Sequence, residues 1–133
     1  MAHAGQTVEN AATGERITFV SIACDLLVMD DVWTRPGHRA AEHVHPEMEE
    51  RWEVIDGRAA FRIGGDEVEL GPGESVVAPA GVPHLAWNPT AAEVRLRIEM
   101  RPALRWAEFT ERLFGGEPPG ELLREFSREV ALR

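Results

Sequence analysis

The 133-residue chain contains no lysine and no tyrosine, and it has one cysteine, Cys24. All fourteen basic residues are therefore arginines. Without lysine there is no Schiff-base chemistry, and without tyrosine there is no phenolic acid or nucleophile. Chemistry is left to His, Asp, Glu, Arg, Ser, Thr, Cys24 or a bound metal. A lone cysteine forms no internal disulfide, so a cytoplasmic setting is expected. Cys24 lies in the apolar run "FVSIACDLLVM", where a buried small hydrophobe is the expected role. No stretch approaches the ~20 apolar residues of a membrane span. The N-terminus lacks a basic region followed by an apolar core, so no signal peptide is expected. The net charge of -9 argues against a nucleic-acid partner and for a soluble surface.

The chain is long enough for one domain with a real core. Residues 1–14 are small and polar, and a flexible segment is expected there. From Ile17 onward, short runs of strand character are separated by turn signals: "IDGR", "IGGDE", "LGPGE", "PAGVP" and "NPTAAE". Such spacing predicts an all-β sandwich or barrel over residues 15–101. In "EVRLRIEMR" the alternation assigns Val94, Leu96, Ile98 and Met100 to one face and Arg95, Arg97, Glu99 and Arg101 to the other. After Pro102 the period changes. Trp106, Phe109 and Leu113, then Leu122, Leu123, Phe126 and Val130, fall at helical spacing, which predicts helices near 103–114 and 120–131 in an extension over residues 102–133. Their apolar stripe is expected to cover the barrel or to pair two copies, and a homodimer is the expectation.

Two stretches carry chemistry. "GHRAAEHVHPEMEERWEVIDG" (37–57) sets out Gly, five residues, His-x-His, four residues, Glu, six residues, Gly. "GESVVAPAGVPHLAWN" (73–88) sets out Gly, five residues, Pro-x-Gly, two residues, His, three residues, Asn. This pair resembles the two motifs of the cupin superfamily, and every defining position matches. The resemblance implies a small single-domain antiparallel jelly-roll barrel with one divalent transition metal ion (Fe, Mn, Ni, Co, Cu or Zn). Its ligands, carried over, are His43, His45, Glu50 and His84. The residues themselves agree. His43 and His45, two apart on a strand, share a face. Pro46 interrupts that strand. Beyond it Glu50, Trp52 and Val54 form a largely apolar face that should point inward, leaving Glu49, Arg51 and Glu53 outside. Gly73 and Gly81 permit tight turns that deliver His84. His3 and His38 lie outside the pattern and are expected at the surface.

Three imidazoles and one carboxylate suit a transition ion better than an all-oxygen ion such as calcium. The expected partner is a small oxygenated molecule. Candidate pocket residues are Trp33, Met48, Trp52, Phe61 and Met100, with Arg35 and Arg97 as possible clamps on a substrate carboxylate. Solvent exposure is the better reading for Arg97, on the polar face of its strand, and core packing for each apolar candidate. A metal-dependent dioxygenase-like enzyme is the first expectation, with Glu50 as the candidate proton carrier. A Lewis-acid isomerase, epimerase or lyase and a non-catalytic binding module are the alternatives.

Overall fold

A computed structural model of the chain describes residues 1–38 and 40–133. Twelve strands and two helices follow in the order β1 (Thr7–Asn10), β2 (Glu15–Ile22), β3 (Leu27–Trp33), β4 (Gly37–His38), β5 (His43–Val44), β6 (Glu49–Asp56), β7 (Ala59–Ile63), β8 (Asp66–Leu70), β9 (Ser75–Ala78), β10 (His84–Asn88), β11 (Val94–Arg101), α1 (Trp106–Phe114), α2 (Pro119–Glu125) and β12 (Ala131–Leu132). They build two antiparallel sheets, one ordered β1-β2-β3-β11-β6-β9 and the other β12-β5-β10-β7-β8, with β4 paired to β10. The fold is the expected jelly-roll barrel.

Strand alternation explains the core. Along β3 the buried residues are Leu27, Met29, Asp31 and Trp33; along β11 they are Val94, Leu96, Ile98 and Met100. Side chains two apart share a face, so each strand contributes one inward row. Phe19, Phe61 and Met48 complete the packing between the sheets. Burying such rows is the main favourable term in folding, at roughly 25 cal/mol per Å² of apolar surface.

Several expectations change. The N-terminal segment is not loose throughout, because Thr7–Asn10 pairs with Glu15–Thr18 and extends the sheet by one strand. Cys24 is exposed, not buried. The run that contains it is a hairpin, with β2 ending at Ile22, β3 beginning at Leu27 and Ala23 N–H donating to the Leu26 carbonyl at 3.1 Å. "RPGHR" does not serve only as a turn, since Gly37–His38 pairs with Trp87–Asn88; the side chain of His38 and the whole of Arg39 lie outside the described residues.

The second helix stops at Glu125, well short of 131. The Phe126 carbonyl then accepts from the N–H groups of Glu129 and Val130, and the chain unwinds into β12, which pairs with β5. An unpaired edge at β5 would leave backbone groups unsatisfied, so the final residues serve better as a strand. Phe109, Leu122, Phe126 and Val130 form a cluster within the chain. Of the helical stripe, Phe109, Leu122, Phe126 and Val130 are thus covered within one chain, while Trp106, Leu113 and Leu123 stay half-buried.

Candidate metal centre and adjoining cavity

The two halves of the first motif lie in different sheets. His43 belongs to β5 and Glu50 to β6. Between them the chain crosses from one sheet to the other, and this crossing resets the side-chain alternation. Glu50, Trp52 and Val54 are buried, while Glu49, Arg51 and Glu53 are partly exposed. The inner carboxylate is therefore Glu50. The second motif reaches the same place from β10, where His84 is paired opposite His43. Gly81 stands at φ 79°, a conformation disfavoured for side-chain-bearing residues, and its N–H donates to the His45 carbonyl at 2.9 Å. That bond ties the turn of the second motif to the strand of the first.

One ligand atom from each of His43, His45, Glu50 and His84 lies within 4.8 Å of the others. His45 Nε2 is 2.9 Å from Glu50 Oε1, and His84 Nε2 is 3.5 Å from the same oxygen. All three histidines use Nδ1 in the same way. His43 donates to the Ala41 carbonyl at 2.8 Å, His45 to the Glu129 carbonyl at 2.8 Å and His84 to the Val82 carbonyl at 3.1 Å. A carbonyl only accepts, so Nδ1 carries a hydrogen and each ring turns its Nε2 toward the cluster, where the neutral form presents a lone pair. This is the outer-shell arrangement of a metal-binding histidine. His84 Nε2 is buried without a hydrogen-bond partner. In their neutral forms the three rings aim lone pairs at the place the Glu50 carboxylate also faces, and a divalent cation there would be held by all four. The donor set fits a transition ion.

The electrostatics agree. Burial, and after it the His84 ring, lowers the His43 pKa to about 4, which keeps that ring neutral and able to ligate. Burial alone would raise Glu50, but the His45 imidazole and then the His84 imidazole beside it outweigh burial and hold the carboxyl at about 2. His84 is raised, because the Glu50 carboxylate outweighs the opposing burial. A carboxyl held as low as Glu50 stays ionised. That suits cation ligation and does not suit carrying a proton near neutral pH.

The cluster opens into a cavity of about 440 Å³, within the ~300–1,000 Å³ range of small-molecule sites. Of the expected pocket residues, Trp33 and Trp52 line it. Met48, Phe61 and Met100 are fully buried core residues that do not line it. Arg35 is exposed and donates to the Ala12 carbonyl, and Arg97 pairs with Asp30 at 2.6 Å on the outer face. Neither arginine reaches the cavity. Its described lining contains no arginine at all.

Two contributions were missed from the sequence. The first comes from the C-terminal extension. Trp106 and Phe109 line the cavity. The Trp106 ring meets His45 edge-on at 4.7 Å and stacks on Phe109 at 4.8 Å. Glu129 supplies the carbonyl for His45, and Leu132 pairs with His43. The second is a pair of acids, Glu15 and Asp31, buried in the cavity wall. The alternation of "LVMDDVW" already assigns Asp31 to an apolar face, and that was the available signal.

Comparison with known proteins bears on the family and the fold. The pattern of the cupin domain family matches residues 33–100. The chain belongs to the cupin family. Among curated proteins, the polyketide synthase CurC of Streptomyces cyaneus is 31% identical over 68 residues, which is 51% of this chain and 44% of that protein. The match thus spans less than half the length of that relative. Solved structures similar in fold include KdgF from a Halomonas species (TM-score 0.64, 18% identity, 73% of this chain and 86% of that one). An RmlC-like cupin from Shewanella frigidimarina gives a TM-score of 0.65 at 21% identity, covering 77% of this chain and 90% of that one. A cupin-superfamily sugar phosphate isomerase from Silicibacter pomeroyi gives 0.61 at 19%, covering 76% and 68%. At these identities the likeness is one of fold. Among the described residues no helix is long and apolar enough to cross a membrane.

Proposed function

We propose that this cupin is a metal-dependent enzyme acting on a neutral, oxygen-bearing small molecule with an apolar body, and that its chemistry is dioxygenase-like. The observation that carries the metal dependence is the common tautomer of the three histidines, each fixed by a backbone carbonyl so that Nε2 faces Glu50. His43, His45, Glu50 and His84 would hold the ion. When bound, it would act as a Lewis acid toward a substrate oxygen and, if redox-active, would support reaction with dioxygen.

The substrate class follows from the walls. Trp33, Trp52, Trp106 and Phe109 offer aromatic faces, and the absence of a lining arginine among the described residues disfavours phosphate or carboxylate groups away from the metal. The similarity to a polyketide synthase over half the chain fits a carbon-rich substrate better than a sugar phosphate. Trp106 and Phe109 shelter one side of the cluster from water and so strengthen electrostatic interactions inside.

Lewis-acid isomerase or lyase chemistry is the second reading. It is favoured by one observation: a buried acid pair, Glu15 and Asp31, lines the same cavity and can hold a proton without oxygen.

The test begins with metal analysis of untagged protein. Oxygen uptake is then measured with hydroxylated aromatic and enediol compounds. Oxygen consumed in proportion to substrate supports the dioxygenase; turnover that proceeds equally under argon supports the second reading. A protein that binds these compounds tightly but turns over none is a binding module.

A further inference from the structure

Asp31 is a polar residue placed where the strand pattern calls for an apolar one. It is 2% exposed, at the centre of the inward row of β3. Its Oδ2 accepts from the Trp33 indole N–H at 2.9 Å. Its Oδ1 is buried and accepts from no N–H or hydroxyl group among the described residues. An unmatched buried acceptor is costly, at roughly 1–3 kcal/mol, and no packing role requires it. Glu15, 7% exposed, lies beside it on β2, close enough to share a hydrogen bond. Two ionised carboxylates can only accept, so that contact exists only when the pair holds a proton. Burial first, and the negative charge of Glu15 second, raise Asp31 well above the usual carboxylate range.

The pair stands at another level of the sheet from the metal cluster, though near enough for the Glu50 charge to add to the rise of Asp31. Across β11, Asp31 is level with Leu96 and then with Val54, four residues along β6 from Glu50. At ~3.3 Å per residue this is roughly 13 Å of strand, with two strand spacings in addition. Both sites nevertheless line one cavity. In register Met29, Ile98 and Trp52 come between them, and all three line the cavity. A ligand that touches both ends must therefore be extended, flat-sided and apolar in its middle.

We propose that Asp31 and Glu15 form a second polar subsite that reads a hydroxyl group on an aromatic ring system, at the end of the cavity away from His43, His45, Glu50 and His84. The hydroxyl donates to the unmatched Asp31 oxygen, while the pair keeps its own proton. The proposal rests on the reading of the cavity as a substrate site, and it names the group that the far end selects.

The test uses 2-naphthol and 2-methoxynaphthalene, which share a ring system and differ in the donor. Binding of each is measured by calorimetry to zinc-loaded and to chelator-treated protein, for the wild type and for Asp31→Leu. A hydrogen bond to a buried acceptor that is otherwise unmatched predicts that the wild type prefers 2-naphthol by about tenfold or more, with or without zinc. Asp31→Leu should bind the two probes equally. Should Asp31→Leu fail to fold, the wild type still decides: the Trp33 indole N–H resonance, reporting through Asp31, must shift with 2-naphthol and stay near its free position with the methoxy compound.

Equal affinities in the wild type overturn the subsite, and so does failure of either probe to bind. A preference that vanishes on zinc removal also overturns it, because the hydroxyl is then read at the metal cluster and the metal-dependent reading survives. Conversely, a preference that persists in protein unable to hold zinc sustains the subsite while removing the metal-dependent reading. Preference retained in Asp31→Leu assigns the discrimination elsewhere and overturns the proposal.

Discussion

Glu50 and Asp31 are both buried carboxyl groups on the inner face of one sheet, and their neighbours drive them in opposite directions. Glu50 has His45 at 2.9 Å and His84 at 3.5 Å, and its pKa falls to about 2. Asp31 has Glu15 and the neutral Trp33 indole, and its pKa rises well above the usual range. Burial opposes charge at both positions; the sign of the outcome is set by what stands within hydrogen-bond reach. One cavity thus has an end that keeps a carboxylate ionised for a cation and an end that keeps a proton.

The largest test of this contrast is removal of the ionised end. Glu50→Gln replaces the carboxylate with a neutral amide, and His84→Ala deletes a donor that comes from β10. Each should lower metal affinity by more than the roughly 10–100-fold typical of losing an outer-shell partner, measured as metal retained after dialysis against chelator. Exposed His3, replaced by alanine, should change nothing. Equal retention in His84→Ala and His3→Ala would remove His84 from the cluster.

The extension offers the next test. Phe126 is fully buried and packs against Phe109 at 5.4 Å, the ring on which Trp106 stacks. Phe126→Ala should cost roughly 3–5 kcal/mol by chemical denaturation and should weaken metal binding as well, since Glu129 and β12 follow it directly. A variant that loses stability while keeping full metal affinity would reduce the extension to a cover.

The pH dependence of metal-free protein sharpens the comparison. Glu50 and His43 have lowered folded-state values, about 2 and about 4. Their stabilising effect is present above the ordinary values, 4.5 and 6.5, and is lost as pH falls through the lowered ones. Asp31 is raised, so its contribution is present below the ordinary 3.8 and is lost as pH rises through its folded value. Glu50→Gln should flatten the acid limb of the stability curve. Asp31→Leu should gain stability relative to wild type as pH rises, by about 1 kcal/mol or more near pH 8. A difference that shrinks with pH would reverse the assignment of the raised carboxyl.

The smallest effect is expected one residue from the largest. Glu49 lies on the outer face, paired in register with Arg101. Glu49→Gln should stay within about 0.5 kcal/mol in thermal stability and should leave metal content unchanged. Metal loss confined to Glu49→Gln would mean that the side-chain alternation runs unbroken through Pro46.

Much of the centre was legible because its parts are local. The His-x-His spacing, the break at Pro46 and the apolar company of Trp52 and Val54 identify His43, His45 and Glu50 without knowledge of which sheet holds them. The inward row of β11 is equally plain, since period-2 alternation depends on strand geometry alone. Cys24 was misread because an apolar run does not reveal where a hairpin turns. Arg97 was expected in solvent from the polar face of its strand, and it pairs there with Asp30; Arg35 was a candidate clamp, and charge alone does not reveal which residues adjoin a cavity.

By itself the sequence determined the barrel, its two motifs and the residue types that converge, because alternation and tight turns are written in neighbouring residues. Only the tertiary structure decided that Glu129 fixes the tautomer of His45, that β12 closes the edge beside His43, and that Glu15 and Asp31 share the cavity with Glu50. Each of these joins elements distant along the chain. Contacts at such separation depend on the order of strands in the sheets and on where the last helix unwinds, and no local pattern encodes either.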